Sequence, residues 1–92
     1  MQHSIKDSIK EFLQTHNLEE KLMEVQLRNS WEKLMGKTIA DHTTKIYIKD
    51  KKLHLRFDSP ALKQELTYAK EKVIDSINKE FESEVVTEIV IR

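Results

Sequence analysis

No cysteine occurs among the 92 residues of this chain, which removes both a disulfide framework and a thiolate metal site. The single glycine, Gly36, rules out a glycine-rich loop cradling phosphates. Net charge is absent as well: sixteen Lys and Arg balance sixteen Asp and Glu, whereas a strong nonspecific nucleic-acid binder is clearly basic. No apolar run approaches the ~20 residues that span a bilayer, and the opening MQHSIKDSIKEF lacks the apolar stretch of a signal peptide. The chain therefore reads as cytoplasmic, with no membrane partner.

The length supports one domain, residues 1–92. A chain of this size hides only ~60–65% of its unfolded surface, so each large apolar residue counts. The balanced total conceals an uneven distribution. Residues 1–42 carry six basic and seven acidic groups, residues 43–72 eight against four, and residues 73–92 two against five. Any anion-binding face is expected in the middle third.

No catalytic constellation is present. His3, His16, His42 and His54 are scattered without metal-ligand spacing. Asp41 and His42 are neighbours, but neighbours on a helix point about 100° apart, and no Ser or Cys nucleophile motif accompanies them. His42 is read as an exposed or capping residue. The expectation is a protein that is not an enzyme, with no cofactor, no metal and no small-molecule substrate.

Hydrophobic periodicity places the elements. Ile5, Ile9, Phe12 and Leu13 fit a first helix within residues 1–16, at the periphery of the domain. A second begins at Asn17 as N-cap and carries Leu18, Leu22, Val25, Leu27, Trp31, Leu34 and Met35. Gly36 stands where a helix C-cap favours glycine. KTIADHT reads as a short helical turn, with Thr38 and Asp41 in capping-box spacing.

The period becomes two at Thr44. Ile46 and Ile48 share one face, as do Leu53, Leu55 and Phe57, while Lys45, Tyr47, Lys49, His54 and Arg56 take the other. Asp50 and Lys51 make the hairpin turn. Ser59 and Pro60 open one long helix as N-cap and first residue, with Leu62, Leu66, Ala69, Val73, Ile77 and Phe81 as its buried stripe. EVVTEIVIR is a third strand, with Val85, Ile89 and Ile91 on one face and Val86 and Val90 on the other. The order helix, helix, short helix, strand, strand, helix, strand predicts an α+β fold, a three-stranded sheet with helices packed on one face.

Trp31 is read as core rather than as a base-stacking platform. Its burial removes about 200 Å² from water, of order 4–5 kcal/mol. Structural roles go to Trp31, Gly36, Ser59, Pro60 and Leu66. Lys45, Lys49, Lys51, Lys52 and Arg56 on the hairpin, with Lys63 and Lys70 on the following helix, form a basic group around Tyr47. Such a set suits phosphate contact with Tyr47 stacking on a base. Composition alone favours a plainer role, a solvated face that keeps an edge strand soluble. Val86 and Val90 are read as ordinary exposed strand residues rather than a partner surface.

The ordered run WEKLMGKTIADHT, then KLHLRFDSPALKQEL, then a helix ending near Ile-Asn and a strand ending EIVIR, resembles the DciA family of bacterial replicative-helicase loaders, formerly a domain of unknown function. It is most similar to the short members of Bacteroidetes-type bacteria. The resemblance implies a KH-like domain that binds the DnaB-type replicative helicase and, weakly, single-stranded DNA, assisting helicase loading in DNA replication. One glycine leaves no GxxG loop, the clamp of KH domains, so the DNA contact falls to the basic residues above. Two other readings stay open: a KH-like RNA-binding protein, and a protein-only adaptor without nucleic-acid binding.

Overall fold

A computed structural model describes residues 18–92. The helix expected before His16 and the cap expected at Asn17 lie outside the described residues. Helix α1 runs Glu19–Met35, with Glu19 and Glu20 in its first turn, where carboxylates complement the helix dipole. It buries Leu27 and Trp31 and ends at Gly36.

Gly36 has φ 89° and ψ 163°, a combination that essentially glycine alone adopts. A Cβ there would meet nothing within 4 Å, so the requirement for glycine is conformational and not spatial. The same residue heads α2, Lys37–Asp41, which has no side-chain cap. The capping box expected at Thr38 and Asp41 does not form, because the N-cap position falls on Gly36 and puts Thr38 inside the helix.

Trp31 is core, as expected, at 4% exposure. Its indole Nε1 donates to Thr43 Oγ1 at 3.0 Å, and that hydroxyl donates to the Ile39 carbonyl at 2.6 Å. The buried N–H is thus satisfied, and α1 is pinned to the start of β1, Thr43–Lys49.

Strand β1 pairs antiparallel with β2, Lys52–Phe57, and the register shifts between Thr43 and Lys45. That bulge is required because Thr43 and Ile46, an odd number of residues apart, both turn inward. Asp50 and Lys51 close the hairpin with φ of 52° and 61°, the double positive φ of a type I′ turn. Neither is glycine, and neighbouring elements hold the strained turn. Glu20 Oε2 accepts from the Lys51 amide at 3.3 Å, and the Lys51 carbonyl accepts from the Thr87 amide at 2.8 Å.

Helix α3, Pro60–Tyr68, starts as expected, with Ser59 Oγ accepting from the Leu62 amide at 3.4 Å. The single helix expected through Phe81 is instead two. The chain breaks at Ala69, whose amide bonds back three residues to Leu66, and α4 covers Lys70–Phe81. Thr67 Oγ1 donates to the Lys63 carbonyl at 2.7 Å, a back-bond that bends helices. The apolar stripe passes through the break unchanged, so periodicity does not reveal it.

The third strand is shorter than expected. Strand β3 covers only Glu88–Ile91. Val85 and Val86 precede it as a buried loop, at 4% and 0% exposure, so Val86 does not lie on an exposed face. Asn78 takes over their backbone groups. Its Oδ1 accepts from both amides at 3.0 Å, and its Nδ2 donates to the Val86 carbonyl at 2.9 Å.

The sheet order is β1-β2-β3, with β2 and β3 parallel and joined by the α3–α4 crossover. Ile46, Ile48, Leu53, Leu55, Phe57 and Ile89 face a core shared with Leu27, Trp31, Leu66, Val73 and Ile77 of the helices. The architecture is α+β and KH-like, with the helices on one side of the sheet. Among the described residues, no element packs on the other side.

Candidate nucleic-acid interface

Strand alternation dictates the open face, and the register arranges it. Lys45 stands opposite Arg56, Tyr47 opposite His54 and Lys49 opposite Lys52. Lys52 neighbours Glu88 and His54 neighbours Val90 on β3, and the pairing of Leu55 with Ile91 brings Arg92 beside Arg56. The nine positions form three rows: Lys45–Arg56–Arg92, Tyr47–His54–Val90 and Lys49–Lys52–Glu88. Five are cationic and one is a carboxylate, in a chain whose total charge is zero.

The middle row is preformed. The rings of Tyr47 and His54 are stacked, with centroids 4.5 Å apart and an interplanar angle of 0°. Lys45 Nζ lies 5.6 Å from the Tyr47 centroid, within cation–π range. His54 Nδ1 is shielded from solvent and has no hydrogen-bond partner among the described residues. A rigid aromatic pair between cationic rows offers a stacking surface at little conformational cost, with phosphate partners on both sides.

Of the residues expected to contact nucleic acid, Lys45, Tyr47, Lys49, Lys52 and Arg56 converge on this face. Lys51 sits at the hairpin tip next to it. Lys63 and Lys70 stand on α3 and α4, in the helical layer behind the sheet, before and after the break at Ala69; Tyr68, the last residue of α3, is 83% exposed. Arg92 and Val90 complete the face; Val90 falls, as expected, on the side away from the core, whereas Arg92 is not among the expected contacts. Alternation in EIVIR puts them on one side of a strand, but only the parallel register with β2 places that strand beside the hairpin.

A second surface borders β1. Between α1 and the free edge of β1 runs a groove of about 960 Å³ whose lining includes Glu20, Glu24, Arg28, Glu32, Asp41 and Lys45. Glu20, Glu24 and Arg28 repeat every four residues and so share one side of α1. Glu24 Oε1 accepts from the Ile48 amide at 3.2 Å, Arg28 Nη2 donates to the Ile46 carbonyl at 3.2 Å, and Glu24 and Arg28 pair at 3.7 Å. With Glu20 on Lys51, the ladder occupies outward-facing backbone groups of the edge strand, a protection against edge-to-edge pairing. Four carboxylates in this lining stand against four cations, Lys21, Arg28, Lys45 and Lys49, so the groove lacks the excess of positive charge found on the sheet face.

His42 is exposed, as expected, and it also has a partner. Its Nδ1 lies 2.7 Å from Asp58 Oδ1, and its carbonyl accepts from the Asp58 amide at 3.1 Å. The pair ties the ends of the two hairpin strands together. Among the described residues, no group of three or more His, Cys, Asp or Glu is placed to hold a metal ion. Nor is any helix there long and apolar enough to cross a membrane.

A family model described as "Dna[CI] antecedent, DciA" matches residues 4–91. A UPF0232 protein of Bifidobacterium longum is 33% identical over 64 residues, covering 70% of this chain and 41% of that protein. A UPF0232 protein of Corynebacterium glutamicum is 35% identical over 63 residues, covering 68% of this chain and 35% of that protein. The aligned stretches thus span well under half the length of these relatives. No solved structure matches the chain.

Proposed function

We propose, since the chain belongs to the DciA family, that it is a non-enzymatic accessory protein of DNA replication. In this reading it binds the DnaB-type replicative helicase in the cytoplasm and holds single-stranded DNA during loading. The observation that carries the DNA contact is the open sheet face, where five cations surround a stacked Tyr47–His54 pair. Lys45, Lys49, Lys52 and Arg56 contact phosphates there, with Lys51 at the edge, and Tyr47 stacks on a base. Contacts of this kind carry no sequence information, so the binding is weak, base-tolerant and salt-sensitive.

The experiment is titration of the full chain onto the purified replicative helicase of its own organism, with and without a single-stranded oligodeoxynucleotide. Saturable binding that the oligonucleotide strengthens supports the reading. Absence of binding in both conditions contradicts it. A preference for RNA over single-stranded DNA of the same length would favour an RNA-binding role instead.

A further inference from the structure

We propose that Lys45, Arg56 and Arg92 form a site for one phosphate group on the open face, beside the Tyr47–His54 stack. The inference deepens the proposed function and rests on it only for the carrier of the phosphate, single-stranded DNA. The three residues form one row across β1, β2 and the residue that follows β3, and with Tyr47, His54 and Leu55 they line a cavity of about 70 Å³. At ~30 Å³ for each liquid water, that is room for about two, the scale of a single phosphate.

Like charges directly opposite one another destabilise a sheet. Here three stand side by side. The ion pairs among the described residues are Arg28–Glu24, Lys33–Glu80, His42–Asp58 and Lys52–Glu88. None of them neutralises Lys45, Arg56 or Arg92. The outer row on the other side differs, since Glu88 lies 3.7 Å from Lys52 there. In a chain with as many acidic as basic side chains, no acidic side chain stands in this row, and a local rule broken in this way points to a functional site.

The donor set fits the ligand. Arginine presents forked N–H donors that match phosphate oxygens, and lysine adds a mobile point charge. The aromatic row lies two residues along the strands, about 7 Å away, the reach of one nucleotide from its phosphate to its base. One nucleotide therefore spans both rows. Its phosphate sits in the Lys45–Arg56–Arg92 row and its base lies on the ring pair.

The test follows amide shifts of the isotope-labelled full chain during titration with inorganic phosphate, then with hexathymidylate with and without a 5′-phosphate. Phosphate is expected to shift Lys45, Arg56 and Arg92 and to leave Lys63 and Lys70 unmoved. Arg92→Gln should weaken phosphate and hexathymidylate binding by about 5- to 10-fold and lower the salt slope of the oligonucleotide by roughly 0.7. Lys79→Gln, on α4, should change neither. Relief of like-charge contact should also raise the Tm of Arg92→Gln or Arg56→Gln by about 2–4 °C, a gain that a structural role for these arginines would not give. Tighter binding of the 5′-phosphorylated oligomer assigns a terminal phosphate, and equal binding assigns an internal phosphodiester; either supports the site. Phosphate held in this row without hexathymidylate binding would keep the site and overturn the DNA reading alone. No phosphate shift in the row, or an Arg92→Gln variant that binds like Lys79→Gln, overturns the proposal.

Discussion

On the open face, Lys45, Lys49, Lys52, Arg56 and Arg92 crowd around two stacked rings, with Glu88 the one carboxylate in the nine positions. Along the edge of the same strand β1, Glu20, Glu24 and Arg28 of α1 engage the backbone at Lys51, Ile48 and Ile46, and Glu24 and Arg28 pair with each other. One surface leaves its charge unspent, and the other uses charge to close itself. The contrast shows why a net charge of zero excludes so little: the acids are drawn to the edge and groove, and the bases to the sheet face. A polyanion meets an excess of positive charge on the sheet face and a balanced set of charges in the groove.

Neighbouring residues on β2 give the sharpest way to break that comparison. Leu55 is 2% exposed in the core, while Arg56 points to the open face. Leu55→Ala should destabilise the fold by about 2–5 kcal/mol, measured as a lower urea midpoint, and, because Leu55 also borders the Lys45–Arg56–Arg92 cavity, should lower DNA affinity of the folded fraction by less than Arg56→Gln does. A Leu55→Ala variant that kept its midpoint would mean that the strand alternation is misassigned.

A smaller effect tests the edge. Glu24→Ala removes the acceptor from the Ile48 amide and the partner of Arg28. It should cost about 1–2 kcal/mol of stability and favour concentration-dependent association through the uncovered strand, followed by light scattering. DNA affinity should stay within about twofold, because the proposed DNA surface is the sheet face and not the groove. A loss of DNA binding in Glu24→Ala would place the ligand in the groove.

Most of this architecture was legible from residue pattern. The alternation around Ile46, Ile48, Leu53 and Leu55 separated core from open face, and Trp31, Gly36 and Ser59–Pro60 took the roles their chemistry suggests. Three features were not legible, each for a stated physical reason. The break at Ala69 accompanies the Thr67 hydroxyl bond to the Lys63 carbonyl, a local feature that leaves the apolar spacing intact. The burial of Val86 depends on the Asn78 side chain replacing strand partners from eight residues away. The candidate site was half visible: hairpin residues sharing a face follow from period two, whereas Arg92 joins them through a parallel register set by the whole crossover. Lys63 and Lys70 entered the expected set by sequence proximity, and the fold puts them in the helical layer.

The central claim is that the open face binds single-stranded DNA, and the most direct test reverses its charge without touching the core. The variant Lys49→Glu, Lys52→Glu, Arg56→Glu should lose affinity for a single-stranded oligodeoxynucleotide by on the order of 100-fold at low salt, with the salt slope reduced by roughly 2. Its Tm should remain within a few degrees of the parent. Unchanged affinity and slope in a folded triple variant would contradict the account and remove the sheet face as the DNA surface.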